Sequence, residues 1–220
     1  MQNKTEVIDK LLVECGLTPR LMVSKKEQID PRLYEVLPAD KLRGFGMMGS
    51  AGVGKSCAIA WWLRHINEIR YDYLVGQADG RELAVFNQTG DFRSKRFDWI
   101  YWPDCALAHQ DANRFGEPIH ALRRGDSIRP HPFAVQTLKS SPLLVLDDLG
   151  RERGNIDSYT NQILDSVINY RYEHNLPTIW TTNLEQEAFI AQYGMPMLDR
   201  LTGMSPAAGW VQGDSKRGTE

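Results

Sequence analysis

The apolar positions of this chain switch repeatedly between helical and strand-like spacing. Val7, Ile8, Leu11, Leu12 and Val13 recur at helical intervals within Glu6–Cys15, and Gly16 marks the end of that amphipathic helix. Leu17-Thr18-Pro19-Arg20 opens an irregular lead-in that also contains Pro31. Phe45-Gly46-Met47-Met48 suits a short buried strand, and Cys57–Ile66 returns to helical spacing. Tyr73–Gln77 and Glu82–Phe86 flank Asp79-Gly80, a hairpin-turn signal that predicts a β-hairpin inserted near residues 72–96. The next core strand is Phe97–Trp102, with Asp104 as the cap of the helix after it.

The polar stretch Asn113–Arg129 contains Gly116, Pro118 and Gly125, has Pro130 just beyond it, and predicts a loop. Phe133–Leu138 reads as a short helix and Leu143–Leu146 as a buried strand. Asp157 or Ser158 can cap a long helix that carries Ile163, Leu164, Val167 and Ile168 to Tyr172 and stops at His174-Asn175-Leu176-Pro177. Thr178–Thr182 is a further strand ending in Asn183. Two short helical pieces follow, Met195–Leu201 being the second, and Trp210-Val211 is the candidate final strand.

The chemistry concentrates at two places. Gly49-Ser50-Ala51-Gly52-Val53-Gly54-Lys55-Ser56 fits G-x-x-x-x-G-K-[ST], set between the first strand and a helix. Glycines let backbone wrap phosphates without Cβ clashes, and N–H groups at a helix start donate to anions. Lys55 would place its charge on the β/γ oxygens, Ser56 would give its hydroxyl to Mg²⁺, and Cys57 would add its N–H. A chance glycine-rich turn is the competing reading, which the strand–loop–helix context disfavours. The second place is Leu143–Leu146 running into Asp147-Asp148-Leu149-Gly150. Asp147 would hold the Mg²⁺ shell, and Asp148 would polarise the attacking water as general base. Asn183, at a strand tip on the carboxyl edge of the sheet, would orient water or γ-phosphate, or else only start a turn.

The 220 residues suit one α/β domain, divided into a short helix and lead-in over 1–40 and a nucleotide-binding domain over 41–220. The net charge of −2 gives no global attraction to nucleic acid. Local basic patches remain candidates for single-stranded DNA: Arg93 and Arg96 beside the predicted hairpin, and Arg123, Arg124 and Arg129 in the predicted loop. A solvated surface is the alternative. Cys15, Cys57 and Cys105 are odd in number, without C-x-x-C, as in a reducing compartment. Cys105 and His109 share helical spacing, but two ligands do not make a metal site, so core packing is the better reading. No secretory segment or run of about 18 apolar residues is visible, which predicts a cytoplasmic protein without membrane contact. The lead-in before the first strand either tethers the surface or packs on the adenine base.

In order and spacing, these elements resemble the AAA+ ATPases of the DnaC-type helicase loaders, with the transposition helper IstB as a close relative. The resemblance runs from about Gly44 to Arg217. It rests on the phosphate loop, Leu146–Gly150, Tyr170-Arg171-Tyr172, Pro177-Thr178-Ile179, Thr182-Asn183-Leu184, Asp199-Arg200-Leu201 and the Gly213-x-Ser215-x-Arg217 ending. It implies a three-layer α/β sandwich with a five-stranded parallel sheet in the order 5-1-4-3-2. It also implies a sensor role for Asn183, an arginine finger at Arg200 that reaches a neighbouring subunit's ATP, and nucleotide contact by Arg217. Homo-oligomers across the ATP sites are expected, with ATP and Mg²⁺ bound. The client would be a DnaB-type replicative helicase; a transposase client and a nucleotide-dependent adaptor without turnover are the alternatives. A small-molecule kinase would want an acceptor pocket and an arginine-rich lid. Family loaders carry a separate N-terminal helicase-gripping domain, for which the stretch before Gly44 is too short. The ending soon after Arg217 leaves no room for the DNA-binding domain of the initiator DnaA.

Overall fold

Asp147 and Asp148 owe their placement to a strand buried on both faces. In the computed structural model, which describes residues 3–38, 44–76, 97–116, 119, 121–124, 127–152, 158–205, 210–213 and 215, that strand is β5 (Leu143–Leu149). It lies in a parallel sheet with β1 (Phe45–Met48), β2 (Phe97–Tyr101) and β6 (Thr178–Thr182), in the order β1-β6-β5-β2. Successive side chains of a strand point to opposite faces. Leu143 and Val145 accordingly enter one core, with Phe45, Met47 and Ile179, while Leu144 and Leu146 enter the other, with Ile100 and Trp180. Helices cover both faces, giving three layers.

The first core is closed by α1 (Lys4–Glu14), the one-turn α2 (Pro19–Met22) and α3 (Lys55–Gly76). Asn3 caps α1 by accepting the Thr5 N–H, and Val7, Ile8, Leu11 and Leu12 are buried. Ion pairs Arg64–Asp9 and Lys4–Asp72 join α1 to α3. Gly16, with φ +98°, ends the first helical segment against β2: Trp99 N–H donates to the Cys15 carbonyl, and a Cβ on Gly16 would sit 2.6 Å from Trp99 O. The otherwise free edge of β2 is thereby covered there. The second core is closed by α4 (Trp102–Phe115), α5 (Val135–Ser140), α6 (Ser158–Glu173), α7 (Gln186–Tyr193) and α8 (Met195–Met204). Two 3-10 turns, Lys26–Gln28 and Pro31–Val36, carry the lead-in to β1.

Several expectations are corrected. The described sheet has four strands in place of five, in core-strand order 1-4-3-2. Val211 forms one parallel bridge to Gly49, where the fifth strand was expected. Gly49 already turns into the loop before α3, and among the described residues the pairing on that side goes no further than this bridge. Tyr73–Gly76 completes α3 instead of starting a strand; a short apolar run fits either period, and the Lys4–Asp72 pair anchors the helix there. The rest of that predicted hairpin, with Arg93 and Arg96, lies outside the described residues. The predicted basic loop contains an antiparallel ribbon, β3 (Ala121–Arg124) with β4 (Ser127–Pro130), and its first residues belong to α4. The intervening Gly125-Asp126 is itself a two-residue hairpin signal. Trp102 opens α4 with Pro103 in its first turn, so Asp104 is a first-turn acid and not the cap. Cys105 and His109 both pack in the core, and His109 Nε2 is 2.8 Å from the Phe133 carbonyl. Burial lowers the His109 pKa.

A candidate nucleotide site at the carboxyl edge of the sheet

The loop after β1 folds as its glycines predict. Gly52 and Gly54 take φ of +90° and +94°, a region that side-chain-bearing residues avoid. A Cβ on Gly54 would strike the Gln28 carbonyl, and one on Gly52 would lie 2.9 Å from Ser215 Cα. The loop is thus packed between the lead-in and the C-terminal segment. Asp30 N–H donates to Val53 O (3.1 Å), and Arg32 bridges Asp30 to Gln212 O (2.7 Å). Lys55 starts α3, so the first N–H groups of that helix, at Lys55, Ser56 and Cys57, lack intrahelical carbonyls to receive them.

Lys55 is buried, its Nζ donating to Gly49 O (2.7 Å), Ser50 O (3.0 Å) and Asn183 Oδ1 (2.6 Å). Asn183 Nδ2 donates in turn to Asp148 Oδ1 (3.0 Å). Three residues from the three predicted segments therefore form one hydrogen-bonded chain. Beside it, Ser56 Oγ (2.8 Å) and Thr181 Oγ1 (2.7 Å) both donate to Asp147 Oδ1. Asp147 is 4 % exposed. Burial first, and the neighbouring Asp148 carboxylate second, push its pKa from 3.8 up to about 6, against the opposing pull of Thr181, Ser56 and Lys55.

A break in the β5–β6 ladder between Leu146 and Leu149 aims both acids at the cleft. Asp148 sits there at φ +62°, unusual for a residue with a side chain, and its N–H donates to Thr181 Oγ1 (2.8 Å). Thr181 thus binds both acids at once, a role its place inside a buried strand hides in the sequence. Gly150 follows at φ +87°, its N–H donating to Tyr193 Oη (2.7 Å), while Tyr193 Oη donates to Glu152 Oε1 (2.5 Å). Burial and the Glu152 carboxylate raise the Tyr193 pKa.

Gly52, Gly54, Lys55, Ser56, Asp147, Asp148 and Asn183 line a cleft of about 470 Å³. The cleft is also lined by Thr18, Arg20 and Leu21 of the lead-in, and by residues that sequence reasoning did not assign: Trp99 and Tyr101 of β2 and Arg151 after the acid turn. The lead-in is therefore more than a tether, because it walls the cleft and bonds to the loop. Arg200 lies elsewhere: it is on α8, not in the cleft lining, and its Nη1 pairs with Asp165 Oδ1 of α6 at 2.9 Å. Arg217 falls outside the described residues. Arg123, Arg124 and Arg129 lie on the β3–β4 ribbon. Among the described residues no cluster of three His, Cys, Asp or Glu side chains could hold a metal, and no helix is long and apolar enough to cross a membrane.

Fully buried Arg171 stabilises the frame behind the site. Its guanidinium donates to the carbonyls of Leu138, Lys139, Ser141 and Pro177 and to Thr178 Oγ1, at 2.7–3.2 Å, tying α5 and the starts of β5 and β6 to α6. Burial lowers its pKa to about 10.

No family model and no curated protein matches the sequence. Solved structures do match in shape. DnaI aligns over 92% of this chain and 95% of its own, at 16% identity and a TM-score of 0.55. The DnaC helicase loader aligns over 87% of this chain and 99% of its own, at 19% identity and a TM-score of 0.51. The replication initiator DnaA bound to AMPPCP and single-stranded DNA aligns over 92% of this chain and 53% of its own, at 16% identity and a TM-score of 0.51. This chain shares its fold with DnaI and the DnaC helicase loader.

Proposed function

We propose that this chain binds ATP with Mg²⁺, hydrolyses it, and uses the cycle to place a DnaB-type replicative helicase on single-stranded DNA. The observation that carries the nucleotide reading is the junction of the three segments: Lys55, Asn183 and Asp148 in one hydrogen-bonded chain, with Ser56 on Asp147 beside it. The residues fit the group. Gly52 and Gly54 supply the positive-φ turns that the loop needs, and a buried carboxylate oxygen beside a hydroxyl is a hard oxygen pair suited to Mg²⁺. Ser56 and Asp147 would hold the metal, which when bound supplies positive charge to the β and γ oxygens.

Lys55 would exchange its carbonyl partners for phosphate oxygens. Asp148 would take the proton of the attacking water while Asn183 holds the carboxylate in place. Loop residues Gly49, Ser50, Ala51, Gly52, Val53 and Gly54, with the Cys57 N–H, would cradle the phosphates. The lead-in wall at Thr18 and Leu21 supports base packing. Arg200 would act on a neighbouring subunit's ATP and Arg217 on its own, in a cytoplasmic homo-oligomer. The DNA-binding and helicase roles draw on the shared fold with DnaI and the DnaC helicase loader and on the arginines of the β3–β4 ribbon.

The test is ATP hydrolysis by the purified chain with and without single-stranded DNA, joined to capture of its client from the native host. Turnover with helicase captured is the expected result. Nucleotide binding without turnover would favour an adaptor, and a captured transposase would redirect the client. Reversing Arg123 and Arg124 to Glu should flatten the salt dependence of single-strand binding; an unchanged slope removes the ribbon from the interface.

A further inference from the structure

The turn after β5 brings into the cleft a cation that the reading above leaves unused. Asp148 and Gly150 both take left-handed backbone conformations, and Arg151 N–H donates to the Asp148 carbonyl at 3.3 Å. The double bend folds the chain back on itself. Arg151 Nη1 ends 3.2 Å from Asp148 Oδ2, on the same cleft that Lys55 and the loop glycines line. The other Asp148 oxygen accepts from Asn183, so both oxygens of the carboxylate read as general base are engaged.

Of the cleft cations, Lys55 and Arg151 are held very differently. Lys55 is buried with three oxygen partners within 3.0 Å, whereas the Arg151 side chain is 50 % exposed and holds Asp148 through one longer contact. A half-exposed single-point ion pair is weak. A terminal phosphate carries more charge than a carboxylate and offers three acceptor oxygens, geometry that a guanidinium matches well. Asp148 and a terminal phosphate in the cleft would therefore compete for Arg151.

We propose that Arg151 is a specificity-determining residue that pairs with Asp148 when no triphosphate occupies the cleft and transfers to the terminal phosphate when one does. The transfer does two things. It makes binding selective for triphosphate over diphosphate, and it clears Asp148 Oδ2 for water. The inference rests on the nucleotide-site reading.

The test is calorimetric titration of the full chain with Mg²⁺·AMPPCP and Mg²⁺·ADP. Arg151→Ala should weaken AMPPCP binding about 10-fold or more while ADP binding stays within about 2-fold of wild type, the loss expected for one charge-assisted contact to phosphate. Arg151→Lys should keep part of the preference. Asp148→Asn, which removes the competing partner, should tighten AMPPCP binding, and that gain should shrink in the double variant with Arg151→Ala. Unchanged AMPPCP affinity in a folded Arg151→Ala protein, or equal losses for both nucleotides, overturns the proposal and leaves the nucleotide site standing. Failure of the wild type to bind either nucleotide overturns the site itself.

Discussion

Lys55 Nζ and Asn183 Oδ1 lie 2.6 Å apart although 128 residues separate them in sequence. The contact closes the Gly49–Ser56 loop against the tip of β6, and Lys55 Nζ also donates to the carbonyls of Gly49 and Ser50. In the proposed site a triphosphate would take over those donors. Lys55→Ala should therefore lose ATP affinity by about 100-fold or more, since a charge-assisted contact is missing where no other loop cation can replace it. Calorimetry with the folded variant decides this. Wild-type affinity and turnover would move the site away from Gly49–Ser56.

Asp148 occupies a different place in the same chain of hydrogen bonds. It receives Asn183 and Arg151, while the Ser56 hydroxyl goes to Asp147. Asp148→Asn should leave nucleotide and Mg²⁺ bound through Lys55, Ser56 and Asp147 yet lower turnover by about 100-fold or more, as expected for loss of a general base. Single-turnover rates and nucleotide affinity measured on the same preparation separate the two roles. Parallel losses of both would contradict the division of labour.

The two halves of this site were legible in sequence because each is local. Eight contiguous residues make the loop, and an apolar run followed by two acids makes its counterpart. What stayed hidden depends on register or on distant packing. Thr181 reads as one more buried strand residue until the irregular β5–β6 register sets it against both acids. Arg151 reads as a surface charge until two left-handed residues fold it back. The lead-in carries no periodicity, and the choice between tether and cleft wall needs its packing on the loop, where Gln28 meets Gly54 and Asp30 bonds Val53. Tyr73–Gly76 fits strand and helix alike, because four residues are too few to decide a period, and the structure makes it the end of α3.

Burial makes Asp147 a pH reporter. Its folded-state pKa, pushed up to about 6, exceeds the ordinary value, so the folded metal-free protein takes up a proton that the unfolded chain releases more readily. The associated stability is present at pH below the ordinary carboxylate range and is lost as pH rises to about 6, by about 3 kcal/mol in all. Metal-free Tm measured from pH 5 to 7 should fall with this contribution, and Asp147→Asn should remove it. A contribution identical in wild type and variant would show that Asp147 does not carry it.

Arg171 presents the opposite case, a buried charge whose every neighbour is an acceptor. Arg171→Met would take this donor from four carbonyls and Thr178, of which Pro177 O keeps the Leu144 N–H, and the expected loss is about 3–5 kcal/mol in urea denaturation. Lysine, with three donors in place of a planar fork, should recover only part of it. A loss below about 1 kcal/mol would mean that water can replace the guanidinium in this core.

Arg200 separates a local role from one between subunits. Within this chain its guanidinium pairs with Asp165 across α8 and α6, both partners partly exposed, a contact worth at most about 1 kcal/mol. If that pair were its whole purpose, Arg200→Ala and Asp165→Asn would behave alike, with slight destabilisation and unchanged turnover. The proposed finger gives a different result. A cation that meets charge developing on a neighbour's γ-phosphate lowers the barrier more than it strengthens ground-state binding, and in other hydrolases such a residue contributes on the order of 10³–10⁵ in rate. Arg200→Ala should then bind ATP nearly as wild type and hydrolyse it poorly, while Asp165→Asn keeps its turnover. Mixing Arg200→Ala with Lys55→Ala should restore part of the activity, because Lys55→Ala subunits still offer a finger and Arg200→Ala subunits still offer an intact loop. Two folded, associating and inactive variants that stay inactive when mixed would confine Arg200 to its contact with Asp165.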